Sequence, residues 1–283
     1  MPELPEVETV VRGLRDTVLG RTISRVRVSA PPSSIVVGKS LKSRSFARLM
    51  TGRRIESVER RGKNILMALS GDLTLWVHLK MTGHFYFYEN PVPYDKHDLV
   101  TFYLEPLQTE KRPPSLRFND YRRFGRLRLF SNEELWQQDG LKELGPEPLE
   151  LDAASFVTMC RTRSRMMKPA LLDQSFIAGL GNIYADEALH ASRIHPKRLT
   201  SSLTKRKLEE LHAHIQRLLR MAISKMGTSV DTYAGVDGQP GSFQKYLRAY
   251  GREGEACAFC GRKIVREKIG SRSAHYCPRC QRL

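Results

Sequence analysis

Four of the five cysteines stand in two knuckles of equal spacing, Cys257-Ala-Phe-Cys260 and Cys277-Pro-Arg-Cys280, with sixteen residues between them. Two Cys-x-x-Cys pairs carried on a hairpin bring four thiolates into a tetrahedron, the closed coordination shell of one structural Zn2+. No ligand position is left open, so this metal folds a tail and does no chemistry on a substrate. Two disulfides are the alternative, and they need an oxidising compartment. The first residues, Met-Pro-Glu-Leu-Pro-Glu-Val-Glu, lack the basic and apolar regions of a secretory signal, so a cytoplasmic chain with reduced thiols is expected. Cys160 stands alone and reads as a small buried hydrophobe.

Charge names the class of partner. Lys and Arg number 47 against 30 Asp and Glu, a formal charge of +17 over 283 residues. A surface that basic collects polyanions, because each phosphate it neutralises releases condensed counterions. Eight cations and three acids lie between Arg252 and Arg282, in the same tail as the cysteines. No apolar run approaches the roughly 20 residues of a membrane span. No long basic helix with bulky apolar anchors appears either, so nucleic acid is favoured over a membrane surface.

The elements that must position such groups change texture along the chain. Val7, Val10, Val11, Leu14 and Val18 recur at helical spacing, with Pro5 tolerated in the first turn. Ile23, Val26 and Val28 then alternate with Arg25 and Arg27 like a strand. Further strands are expected over 53–59, 64–70, 73–78, 84–88, 99–104 and 126–130, too many short ones for a parallel sheet. The polar, basic stretch from Pro31 to Arg48 reads as a loop. After Gly145-Pro146-Glu147-Pro148 the pattern is helical, around 153–161, 168–178, 184–191 and 205–226. The fold class is α+β: a β-rich half, a helical half and a small metal knuckle.

Four landmarks stand in order along the chain: Pro2-Glu3-Leu4-Pro5-Glu6-Val7-Glu8-Thr9, Arg122-Arg123-Phe124-Gly125, Gly181-Asn182-Ile183-Tyr184 and the four-cysteine tail. Together they resemble formamidopyrimidine-DNA glycosylase from end to end. The resemblance implies an N-terminal β-sandwich catalytic domain (1–132), a linker (133–150), a helix-two-turn-helix DNA-binding domain (151–250) and a zinc finger (251–283). It implies a monomer, associated with the nucleoid in a bacterium, that acts on double-stranded DNA containing oxidised purines or abasic sites. It also implies the reaction: excision of 8-oxoguanine and formamidopyrimidines, then β,δ-elimination at the abasic site.

By the same resemblance, Pro2 is the nucleophile, through the secondary amine freed when Met1 is removed. A proline amine that attacks the sugar C1′ gives an iminium with no N–H to lose, and that cation acidifies the C2′ proton. Glu3 is the acid/base, Lys63 the proton donor near the lesion phosphate, and Arg272 the finger arginine credited with δ-elimination. Taking a base out of the stack leaves a void. Met81, Arg122 and Phe124 match the trio that fills it. His97, Arg122, Arg163 and Asn182 match phosphate contacts, Arg163 standing where the family has a lysine. Two departures are visible. Asn64 replaces a common aromatic residue beside Lys63, and Gly270-Ser271 and His275 replace the commoner residues around Arg272. The loop Gly238-Gln-Pro-Gly-Ser-Phe243 and Leu4 favour this branch over an endonuclease VIII-like enzyme for oxidised pyrimidines. Retention of Pro2, Glu3, Lys63 and Arg272 argues against a non-catalytic paralogue that only binds damaged DNA.

Overall fold

The computed structural model describes residues 1–29, 43–229 and 235–283, with the side chains of 43 and 44 left aside. They form two compact units, Met1–Lys142 with Met226–Ser242, and Glu143–Lys225 with Phe243–Leu283. No helix among the described residues is long and apolar enough to cross a membrane.

The first unit runs α1 (Leu4–Val18), β1 (Ile23–Val28), α2 (Ser43–Met50), β2 (Ile55–Arg61), β3 (Asn64–Leu69), β4 (Leu73–His78), β5 (His84–Tyr88), β6 (Asp98–Leu104), β7 (Ser115–Asn119), β8 (Arg126–Ser131) and α3 (Asn132–Leu135). The eight strands form two four-stranded antiparallel sheets, ordered β1-β6-β7-β5 and β2-β3-β4-β8. Val26, Phe85, Phe102 and Phe118 of the first share one core with Val58, Ile65, Leu75 and Leu127 of the second. The helical stripe Val7, Val10, Val11, Leu14 and Val18 is buried in that same core, which fixes α1.

Two sequence expectations are corrected here. Of the stretch read as a loop from Pro31 to Arg48, residues 31–42 lie outside the described residues, whereas α2 is a helix. Phe46, Leu49 and Met50, three and four apart, make its apolar stripe, and Phe46 and Met50 are fully buried. The flanking arginines obscure that stripe in the sequence. Strand β7 falls in the stretch read as strands and turns but is not among the strands singled out there, and Ser-Leu-Arg-Phe-Asn has a charge at its centre. That charge is buried: Arg117 pairs with Asp98 at 3.0 Å, donates to the carbonyls of Pro93 and Val92 at 2.9 and 2.8 Å, and lies between the rings of Tyr88 and Tyr94.

The second unit contains α4 (Ala153–Thr162), α5 (Met167–Leu172), α6 (Asn182–Ala191), α7 (Lys205–Ser224) and a hairpin of β9 (Val265–Ile269) and β10 (Arg272–Tyr276). Asp152 and Thr204 cap α4 and α7 through the amides of Ser155 and Lys207. The helix expected to run to Ala178 stops at Leu172. Asp173 turns extended, and its carboxylate takes the amide and hydroxyl of Ser175, a local hydrogen-bond pattern that competes with helix.

Replacing Asp98 with alanine leaves the Arg117 guanidinium buried without its counter-charge. Urea unfolding should show a loss of about 3 kcal/mol or more. A loss below about 1 kcal/mol would mean that the pair holds nothing together.

Candidate functional site

The start of α1 is pinned from several sides. Pro2 is buried, and in the full chain its nitrogen is acylated by Met1. Glu3 leaves the extended region (φ −102°, ψ −172°) as the N-cap of α1 and forms a capping box with Glu6. The Glu3 amide donates to Glu6 Oε2 at 2.8 Å, and the Thr228 amide donates to Glu6 Oε1 at 2.7 Å. Both carboxylates are buried. Gly227 precedes that amide at φ +78°, and a Cβ there would lie 2.8 Å from Glu6 Oε1. A glycine is therefore needed for both the turn and the approach.

Lys63 ends the tight turn between β2 and β3 and is 7% exposed. Arg60 ties this turn to α1: its Nε donates to Glu8 Oε2 at 3.0 Å, and its Nη1 donates to the Gly62 carbonyl at 3.3 Å. Asn64 closes the turn, donating to the Arg61 carbonyl at 2.9 Å and accepting from Trp76 Nε1 at 3.1 Å. The departure from an aromatic residue at this position thus has a structural use.

Beside Lys63, the register aligns Asn64 with His78 and His78 with Arg126. Burial, then the charges of Lys80, Lys63 and Arg126, push the His78 imidazole down to about 3, so it is neutral near pH 7. Its Nδ1 accepts the Lys80 amide at 3.0 Å, which assigns the proton to Nε2. The same crowding lowers Lys80 and Arg126 through burial first and cationic neighbours second. This strip favours an anion.

Asp120, fully buried, organises two neighbouring loops. One oxygen accepts the Thr82 hydroxyl and the Arg122 amide, and the other accepts the Gly125 amide at 2.7 Å. Arg123 between them takes φ +57°, and a Cβ at Gly125 would meet Phe118 Cζ at 2.5 Å. As a result Met81, Arg122 and Phe124 stand together and exposed. The Arg122 guanidinium lies 4.9 Å from the Phe124 ring centre, and its Nη1 is 3.3 Å from Met81 Sδ. His97 joins them: its carbonyl accepts the Asp120 amide at 3.0 Å, and its ring meets Tyr121 edge-on. In the same unit the glycine-rich loop is folded on itself, with the Gly235 amide on the Gln239 carbonyl and the Gly241 amide on Ser229 Oγ, both at 2.8 Å.

In the second unit, Asn182 is the first residue of α6, and its Oδ1 is buried without a hydrogen-bond partner among the described residues. Arg163 ends α4, exposed, with its carbonyl taking the Thr200 hydroxyl. Arg272 is the exposed first residue of β10. The sulfurs of Cys257, Cys260, Cys277 and Cys280 all lie within 4.8 Å of one another, and those of Cys260 and Cys277 are 3.5 Å apart. Zn–S bonds of about 2.3 Å put tetrahedral sulfurs about 3.8 Å apart, so the donor set fits one structural Zn2+. His190 of α6 reaches Cys257 Sγ at 3.4 Å and stacks on Phe259, joining finger to helix.

Sequence reasoning does not single out His78, Lys80 and Arg126, or the organising role of Asp120. A histidine and an arginine at paired positions of β4 and β8, with Lys80 two residues beyond, are the signal for the first group. Asp120 has none, since one buried aspartate reads like any turn residue.

Residues 1–127 match the family model for the formamidopyrimidine-DNA glycosylase N-terminal domain, 144–234 that for its H2TH domain, and 254–283 that for a zinc finger found in FPG and IleRS. The chain is 44% identical over 285 residues to a formamidopyrimidine-DNA glycosylase of Pelotomaculum thermopropionicum, covering all of both chains. It is 42% identical to one of Heliobacterium modesticaldum, again over the full length of both. Its structure is similar to that of a Lactococcus lactis FPG variant in complex with Fapy-dG containing DNA, with a TM-score of 0.89, 34% identity and full coverage of both chains. It is similar also to Lactococcus lactis Fpg with abasic-site DNA, at TM-score 0.88 and 34% identity over 99% of this chain and 100% of that one.

Two outcomes follow from the geometry. Stripping the zinc should abolish hydrogen-exchange protection in the two cysteine knuckles and lower it in β9 and β10, while β3 and β4 keep theirs. Unchanged protection in knuckles and hairpin after verified zinc loss would contradict a metal-held finger. His78 resists protonation when folded, whereas the unfolded chain takes the proton near pH 6.5, so stability drains away as pH falls from 6.5 towards about 3. In urea melts at stepped pH, His78→Gln should lose less stability than wild type over that window and run parallel to it above. Parallel curves throughout would refute the assignment.

Proposed function

The chain belongs to the formamidopyrimidine-DNA glycosylase family, and on that premise we propose that the amine of Pro2, freed by removal of Met1, is its nucleophile. The protein is a DNA glycosylase of base excision repair with lyase activity at abasic sites, and one structural Zn2+ sits on Cys257, Cys260, Cys277 and Cys280. Its substrate is double-stranded DNA carrying an oxidised purine, either a formamidopyrimidine or 8-oxoguanine, or an abasic site.

The Pro2 nitrogen attacks C1′, the bond from C1′ to the base breaks, and the base departs with a proton. The sugar ring opens to an iminium that keeps its charge because the nitrogen has no hydrogen to lose. Glu3 relays the protons at base and sugar. Loss of the C2′ proton expels the 3′ phosphate, with Lys63 against that phosphate as the proton donor. Arg272 grips the phosphate that leaves in δ-elimination, where its planar fork suits two oxygens at once. Met81 fills the space left by the everted nucleotide, Arg122 faces the orphaned base and Phe124 wedges the opposite stack. His97, Arg122, Asn182 and Arg163 hold the backbone. In this reading residues 1–132 are the catalytic domain, 133–150 a linker, 151–250 the helix-two-turn-helix domain and 251–283 the finger.

One observation supports the assignment above the rest. The Glu6 bonds to Glu3 and Thr228, with the Glu8–Arg60–Gly62 link, tie the start of α1 to the Lys63 turn inside one unit. A chain terminus would otherwise fray.

Borohydride reduction of Met1-free protein on a duplex with 8-oxoguanine opposite cytosine should leave a covalent adduct, and Pro2→Gly should reduce its yield by at least about tenfold, or 1.4 kcal/mol of barrier. No adduct from correctly processed protein would sink the proposal. Preference for thymine glycol would move the substrate to oxidised pyrimidines.

A further inference from the structure

Arg272 heads β10, and two of the next three residues are gripped by helices of the same unit. Lys168 of α5 donates from Nζ to the Ser273 carbonyl at 2.5 Å and to Asp186 Oδ1 at 2.5 Å. Asp186 of α6 accepts at Oδ2 from the His275 amide at 3.0 Å and from His275 Nδ1 at 2.9 Å. The pair is completely buried, Lys168 at 0% and Asp186 at 1% exposure. The next residue, Glu187, takes the amides of Arg248, Ala249 and Tyr250 at 2.9, 2.8 and 2.8 Å. The Tyr250 ring then meets His275 edge-on at 5.1 Å. Two consecutive carboxylates of α6 thus hold both the strand that begins with Arg272 and the segment that enters the finger.

A buried ion pair adds little net stability over a well-packed apolar pair of similar volume, so its place here calls for another reason. That reason is register. The bonds to Ser273 and His275 both fail if β10 slips by one residue, and a slip would also turn every side chain of the strand to its other face. Zinc fixes Cys277 and Cys280 beyond the end of β10, but leaves the hairpin tip to the strand's own stiffness. Lys168 and Asp186 act within one and three residues of Arg272.

We infer that Lys168 and Asp186 are positioning residues for Arg272, fixing the place from which its guanidinium reaches the phosphate expelled in δ-elimination. This rests on the reading of Arg272 given above. In that step the C4′ proton leaves, the C5′–O bond breaks and the phosphate carries off the electron pair, so an arginine held on the phosphate oxygens eases departure. The earlier attack by Pro2 and the β-elimination do not use Arg272. Loosening its mount should therefore alter how products divide and leave the first steps alone.

The test uses the full-length, zinc-loaded, Met1-free protein on an abasic-site duplex. The β and β,δ products are separated on a denaturing gel, and the borohydride-trapped adduct is measured in parallel. Asp186→Asn should lower the ratio of β,δ to β product by about tenfold or more, the scale on which a small misplacement of a reacting group acts. The rate of adduct formation should stay within about twofold, a change of about 0.4 kcal/mol in barrier. Arg272→Ala should lower the ratio at least as far, and the double variant no further. An unchanged ratio in Asp186→Asn beside a lowered one in Arg272→Ala would overturn the positioning role alone. So would a fall in adduct and both products together, the mark of a merely structural part. An unchanged ratio in Arg272→Ala would instead overturn the reading of Arg272, and the inference with it. Should Asp186→Asn fail to take up zinc, Lys168→Met with Asp186→Leu removes both charges at once and carries the same expectation.

Discussion

Glu6 accepts the Glu3 amide at one carboxylate oxygen and the Thr228 amide at the other, and the start of the chain is held by that bridge. A nucleophile built from a chain terminus, as proposed for Pro2, carries an unusual constraint. Its nitrogen must stay uncommitted, so the terminus has to be immobilised through every atom except the one that reacts. Here the work falls to the apolar stripe of α1, to the capping box and to a carboxylate that bonds backbone on both sides. The bond from Arg60 to Glu8 extends the same anchoring to the Lys63 turn.

Internal carboxylates recur as the organising device. Asp120 joins the Met81–Thr82 loop to the Arg122–Gly125 turn, Asp98 holds Arg117 inside a sheet, and Asp186 with Glu187 secures the finger to α6. Each is buried and meets backbone amides or a paired cation. An ionised carboxylate accepts several hydrogen bonds at once, which makes it the natural hub where loops must be fixed without bulk. The consequence for charge is direct. Acids spent on internal bonding no longer offset surface cations, so the solvent-facing charge is more positive than the formal +17 implies.

Much of this architecture is legible from residue types because it obeys periodic rules. The α1 stripe, the alternation of β1 and the cysteine spacing each state a geometry outright. What escaped reading is where tertiary context overrides local pattern. Arg117 argues against a strand until its aromatic sandwich and Asp98 are in place. The basic surroundings of α2 hide a three-residue stripe, and Asp173 ends a helix through a bond to a neighbour two residues away. Among site residues, the terminal Pro-Glu, the Lys63 turn and the finger were visible as motifs. Asp120, His78 and Lys168 were not, since their roles depend on partners far along the chain or across a sheet. The two departures noted in sequence, Asn64 and His275, turn out to be bonded substitutions: one closes the Lys63 turn, and the other docks on Asp186.

The Glu6 bridge also carries a lesson about timing. Its two ends lie 222 residues apart, so this one bond closes only when the last fifth of the chain begins to emerge. At 5–20 residues per second the interval is on the order of ten to fifty seconds. Throughout it the Met1–Pro2 bond belongs to a loose nascent end, open to an aminopeptidase. Once Thr228 arrives, the same bond sits over a buried proline. Met1 itself stays half exposed in the folded chain, so the bond to be cut has one side in solvent and the other packed into the fold.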